Sequence, residues 1–151
     1  MEKLCKYDVA GHLFEVSLPD SMDAGKYLAA YKPFITESTG TPLFRLRVEY
    51  VDDLKTTHPG RPKECLNDEA PYFWIFDKEG RFNFGFSYSK SRPDCILVPS
   101  EDFSDSVVYI PSSMAERLTD FAISNSMMLL YTFRTSPFET LMVHASVIRH
   151  N

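Results

Sequence analysis

The chain has 151 residues, 44% hydrophobic, 25% charged and 14% aromatic, enough for one domain whose core needs no disulfide or metal staple. Its formal net charge of −5 argues against a dedicated nucleic-acid or anionic-membrane binder, since both use basic patches. Cys5, Cys65 and Cys95 lie far apart with no C-x-x-C pair, so zinc and dithiol chemistry have no support and free thiols in a reducing compartment are expected.

No apolar targeting core follows Met1, and no stretch nears the length of a membrane span. The expected location is therefore the cytoplasm, with no membrane partner. Residues 6–10 and 12–18 read as a hairpin broken at Gly11. Pro19-Asp20-Ser21 offers an N-cap for a short helix over residues 22–31, stopped by Pro33. After Pro42 comes a strand in which Leu43, Phe44, Leu46, Val48 and Tyr50 alternate with Arg45, Arg47 and Glu49, one face for the core and one for water. Residues 52–69 are polar around His58-Pro59-Gly60-Arg61-Pro62 and read as a long loop.

The strands over residues 72–76 and 81–88 flank Asp77-Lys78-Glu79-Gly80, where Gly80 supplies a positive φ for a four-residue hairpin loop. Phe82, Phe84, Phe86 and Tyr88 share one face of the second strand. The first is apolar on both sides and is expected at the centre of the sheet. Residues 95–98 and 106–110 continue an antiparallel meander. Ser113 and Glu116 fit a capping box for the main helix, over residues 114–134. Its stripe of Leu118, Phe121, Ala122, Asn125 and Leu129 is expected to pack on the sheet. The fold class is thus α+β: an antiparallel meander packed by one long C-terminal helix and a short N-terminal one.

Among candidate sites, Phe84-Gly85-Phe86 echoes the aromatic core of RNA-recognition modules. Its flanks fail, because Phe82, Asn83 and Ser89 stand where a basic residue, a glycine and an aromatic are needed. No nucleic-acid partner is expected. His12, His58, His144 and His150 show no metal-ligand spacing. Asp52-Asp53 and Asp102 with Asp105 read as solvated turns, and Tyr27, Tyr31 and Lys32 as a cover on the sheet. No nucleophile elbow or cysteine–histidine pairing can be argued, so no catalytic, cofactor-binding or metal residue is assigned in this chain.

The C-terminal run Pro137-Phe138-Glu139-Thr140-Leu141-Met142-Val143-His144-Ala145-Ser146-Val147-Ile148 resembles a segment of bacterial HPr kinase-like proteins, some described as phosphoenolpyruvate carboxykinase-like. In that family a helix leads to a strand reading close to Leu-x-x-His-Ala-Ser-x-Val, and then, a dozen or so residues beyond the motif, to a P-loop of the form G-x-x-x-x-G-K-[ST]. The resemblance spans about the last forty residues. It implies that residues 1–136 are an accessory domain and residues 137–151 a linker and first strand of a kinase-like domain, the chain ending just before the nucleotide loop. No Gly-Lys-Ser or Gly-Lys-Thr occurs in the sequence. ATP and Mg²⁺ are therefore expected only of a longer protein, whose own kinase-like domain is the implied partner, and His144 is the one candidate for a place beside the phosphate. The alternative is a self-contained protein- or ligand-binding module, engaging a partner at an exposed sheet edge.

Overall fold

The computed structural model describes residues 2–114 and 116–140. Strands β1 (Glu2–Val9) and β2 (His12–Pro19) form the first hairpin. Its two-residue turn, Ala10 and Gly11, has positive φ at both positions, as the tight turns that match strand twist require. Asp8 Oδ1 accepts from the Gly11 amide at 2.9 Å. The helix expected over residues 22–31 is much shorter. Helix α1 spans only Ala24–Tyr27, capped by Asp23 rather than by Asp20 or Ser21, and a 3₁₀ turn at Ala29–Phe34 follows with Pro33 inside it. Gly25 and Pro33 both oppose a longer α-helix here.

Strand β3 (Phe44–Val51) keeps its alternation, with Phe44, Leu46 and Val48 buried and the two arginines exposed. Tyr50, expected on the core side, stays 38% exposed at the strand end. Residues 52–69 are not simply a loop. They include a 3₁₀ turn at Leu54–Thr57 and strand β4 (Arg61–Leu66). The remaining strands are β5 (Tyr72–Lys78), β6 (Arg81–Ser87), β7 (Cys95–Pro99) and β8 (Asp105–Pro111).

All eight strands form one sheet in the order β1-β2-β3-β8-β7-β6-β5-β4. From β4 to β8 the neighbours are antiparallel, as the meander predicts. The sheet as a whole is mixed, because β3 is parallel to both β2 and β8. The cause is topological. Residues 20–43 cross over through α1, so β3 runs the same way as β2. The chain then jumps to the far edge, and the five-strand meander brings β8 back beside β3 in the same direction. Strand β5 is consequently next to the edge and half-buried, not central. The hairpin between β5 and β6 closes with two residues, Glu79 and Gly80, both at positive φ, rather than four.

Helix α2 (Glu116–Thr135) covers one face of the sheet against β3 and β8. The expected stripe is rotated by about one position: Thr119, Ala122, Ile123, Ser126, Met127, Leu130 and Tyr131 are buried, while Leu118, Phe121 and Leu129 flank them. Small hydroxyls can occupy a buried stripe when they bond back into their own helix. Ser126 Oγ donates to the Ala122 carbonyl at 2.8 Å. The capping box spans Ala115, outside the described residues. Beneath the helix, Phe14 and Phe44 stack at 4.8 Å between centroids, and Tyr131 donates to the Val9 carbonyl at 3.0 Å, tying α2 to the first hairpin. Phe84 and Phe86 are buried against Phe133 and Phe121 of α2.

Both sheet edges are blunted. Strand β4 carries Pro62, several charges and a register shift between Pro62 and Glu64. On the outer side of β1, Ile35 bridges to Tyr7 and the Thr36 amide donates to the Lys6 carbonyl. Such features obstruct strand addition where they occur. No described helix is long and apolar enough to cross a membrane.

Candidate functional site

The face of the sheet opposite α2 is crossed by residues 52–60, the link between β3 and the distant β4. The crossing is pinned at two points. Buried Asn83 donates from Nδ2 to the Pro59 carbonyl at 2.7 Å, and Gly60, at φ +105°, lies against the Asp77 carbonyl. At its start, Asp53 caps the 3₁₀ turn by accepting from the Lys55 amide at 2.9 Å. Between this crossing segment and the sheet lies a cleft of about 850 Å³, within the usual range for small-ligand sites.

Phe76 and Ile96, both buried, form its floor. Gly85 lets Pro93 and the Phe76 ring sit close: a Cβ there would come within 2.9 Å of the Pro93 Cβ and 3.2 Å of the Phe76 ring. Met114, ahead of α2, and Leu118 in its first turn add apolar surface. The rim is charged, with Lys55, His58, Lys78 and Arg92 set among Asp52, Asp53 and Asp94. Each carboxylate already has a structural partner. Asp52 accepts from the Ser112 hydroxyl at 3.4 Å, Asp53 caps its turn, and Asp94 accepts from the Tyr88 amide at 2.9 Å.

Asp52, Asp53 and His58 thus come together on one rim, although the sequence presents them only as turn residues. Lys55, Lys78, Arg92, Phe76 and Ile96 carry no local motif; the topology alone assembles them. Asp102 does form a turn. Its carboxylate, held down to about 2 by the Ser104 hydroxyl and amide, the Ser100 hydroxyl and nearby Arg134, is far along the chain from Asp52. Tyr27 and Tyr31 pack on the core and Lys32 is exposed. His12 contacts the Thr140 hydroxyl at 2.9 Å and the rings of Tyr131 and Phe138. His144 and His150 lie outside the described residues. Among the described residues no group of three or more His, Cys, Asp or Glu is placed to hold a metal ion.

A nucleotide cradle needs glycine-rich amides at a helix N-terminus. The described glycines serve other ends: Gly11 and Gly80 turn hairpins, Gly60 and Gly85 permit close approach, and the Gly25 and Gly40 amides donate to the Asp23 carboxylate and the Ser38 hydroxyl. These glycines do not form such a cradle. No protein-family model, curated protein or solved structure matches this chain.

Proposed function

We propose that the chain is a non-catalytic N-terminal accessory domain of a larger ATP-dependent phosphotransferase of the HPr kinase-like or phosphoenolpyruvate carboxykinase-like kind, and that its role is to position substrate beside a nucleotide site completed elsewhere. The observation that carries this reading is the run from Pro137 to Ile148 with its Leu-x-x-His-Ala-Ser order. The fold is compatible with it. Arg134 ties the end of α2 to the Leu43 and Asp102 carbonyls at 3.0 and 2.8 Å, so the chain approaches that run from a fixed helix. The cleft opposite α2 offers room for a substrate.

The test has two parts. The coding sequence beyond Asn151 should encode G-x-x-x-x-G-K-[ST] within about fifteen residues, and calorimetric titration of ATP–Mg²⁺ into this chain alone should give no heat of binding. A stop codon directly after Asn151 would refute the reading. So would micromolar ATP binding, or phosphate transfer, by the isolated chain.

A further inference from the structure

We propose that the chain pairs with a second copy of itself across α2, the two α2 helices lying side by side between the two sheets. The inference goes beyond the phosphotransferase reading and does not depend on it. Two surfaces carry it, and the first is a bare part of the sheet. Helix α2 lies over β3 and β8, and the 3₁₀ turn after α1 packs at β1. On the same side, Leu66 of β4 and Phe82 of β6 are 37% and 42% exposed, and Phe73 and Ile75 of β5 are only half-buried. An apolar sheet face is stable when a second layer covers it. A helix packed beside α2 at about 8–10 Å lies two strand spacings on from β8, over β6.

The second surface is the outward side of α2. From Phe121 to Phe133 the helix carries no charged residue on any side, although a quarter of the chain is charged and the water-facing side of a helix is where charges gather. Met128 and Phe133 are each 44% exposed. Phe121, Asn125, Leu129 and Phe133 recur at every fourth position, a ridge on the side nearest β6. Asn125 leaves no unmet amide there, since Nδ2 donates to the Phe121 carbonyl at 2.7 Å. The ridge is continuous with the sheet through Tyr88, 4.7 Å from the Phe121 ring, and Phe103, 4.5 Å from that of Phe133.

A second copy is the occupant that answers both surfaces. The bare sheet lacks a helix, and the outward side of α2 lacks a sheet. Across a two-fold axis each chain supplies what the other lacks, in one isologous contact. The charge pattern agrees. The interior of the patch is neutral, and its edge carries both signs: Lys63 over the Phe82 ring and Arg117 over that of Tyr88, against Glu64 and Asp77 in register with Ile75 and Phe82. A copy therefore meets no field of its own sign, and the edge selects neither an acidic nor a basic partner. Leu66, Phe82, Tyr88, Met128 and Phe133 are each about two-fifths exposed, and with their half-buried neighbours they present on the order of 500 Å². Counted on both chains, this is about the 1,000 Å² that a specific interface clears.

The test is sedimentation equilibrium of the full chain over about 1–100 μM, where a monomer–dimer equilibrium is expected. Met128→Glu, on the helix, and Leu66→Glu, on the sheet, should each weaken pairing at least about tenfold, because a two-fold axis enters every substitution twice and buries its charge without a partner. Both side chains are exposed in the single chain, so the fold should survive, with urea unfolding as the check. Leu4→Glu, at an exposed site on the opposite edge strand, should leave the equilibrium unchanged. The proposal is overturned if Met128→Glu or Leu66→Glu leaves the dimer intact, or if Leu4→Glu dissociates it as well. A monomer at every concentration also overturns it. A chain cut after Thr140 then shows whether residues 141–151 are the cover instead, since only their removal would let the patch pair.

Discussion

Among the described residues, Ser106 Oγ is buried without a hydrogen-bond partner. It points to the α2 side of the sheet, in register with Leu46 on β3 and Pro99 on β7, where apolar neighbours give its hydroxyl nothing to bond. An unmet hydroxyl in such a place costs more than the methyl that would replace it. Ser106→Ala should therefore stabilise the protein by about 1 kcal/mol, read as a higher urea midpoint at unchanged slope. Asn83 is the opposite case. It is also buried in a sheet strand, but its amide satisfies the Pro59 carbonyl at 2.7 Å. Asn83→Ala leaves that carbonyl unpaired and releases the crossing segment, so a loss of about 1–3 kcal/mol is expected. Destabilisation by both variants, or no loss in Asn83→Ala, would show that local hydrogen bonding does not govern these sites.

At the scale of elements, two glycines decide how closely neighbouring segments approach. A Cβ at Gly60 would overlap the Asp77 carbonyl, and φ is +105° there, so backbone must move to accept any side chain. At Gly85 the obstacles are the Pro93 side chain and the Phe76 ring, at 2.9 and 3.2 Å, and both can give a little. Gly85→Ala should cost about 1–3 kcal/mol by overpacking, and Gly60→Ala more. Adding Pro93→Ala to Gly85→Ala should recover part of the loss, because contacting positions do not add independently; full additivity in urea unfolding would place the strain elsewhere. The same elements show what was legible in the sequence. Strands with one-sided burial, β2 and β3, announce themselves by alternation, and the hairpin turns by Gly11 and Gly80. Strand β4 does not, since as an edge strand with residues such as Arg61, Lys63 and Glu64 it pairs through backbone and has no apolar face to show. Its omission also misplaced β5 at the centre. The helical stripe was misread because Thr119 and Ser126 occupy buried positions that a hydrophobicity pattern gives to Phe121 and Leu129. The cleft was illegible for a different reason: Lys55, Lys78 and Arg92 meet only through a long-range crossover.

Seen as a whole, the molecule gathers its weak acids into one core. Cys95 is fully buried, and burial pushes its thiol up to about 12, against a small opposing effect of the Phe86 backbone. Burial also raises the phenols of Tyr7, Tyr31 and Tyr131, with Cys5, Asp120 and Asp8 respectively adding to it. All four are neutral when protonated, and in each the folded state holds the proton more tightly than the unfolded chain. Their contribution to stability is complete below the unfolded values and is lost as pH rises toward the folded ones. For Cys95 the window opens near the ordinary thiol value of 9.0 and closes near 12, so its part of the loss is on the order of 1 kcal/mol by pH 10. The tyrosines extend the decline from their ordinary value of 10.0 upward. Urea midpoints should hold steady from pH 7 to 9 and fall steeply above. Cys95→Ala separates the contributions: it removes the thiol and leaves the phenols, so it lowers stability at pH 7 through lost contacts but flattens the decline between pH 9 and 10. If the variant and the parent lose stability in parallel across that interval, Cys95 ionises without opening the core, and the alkaline weakness belongs to the tyrosines alone.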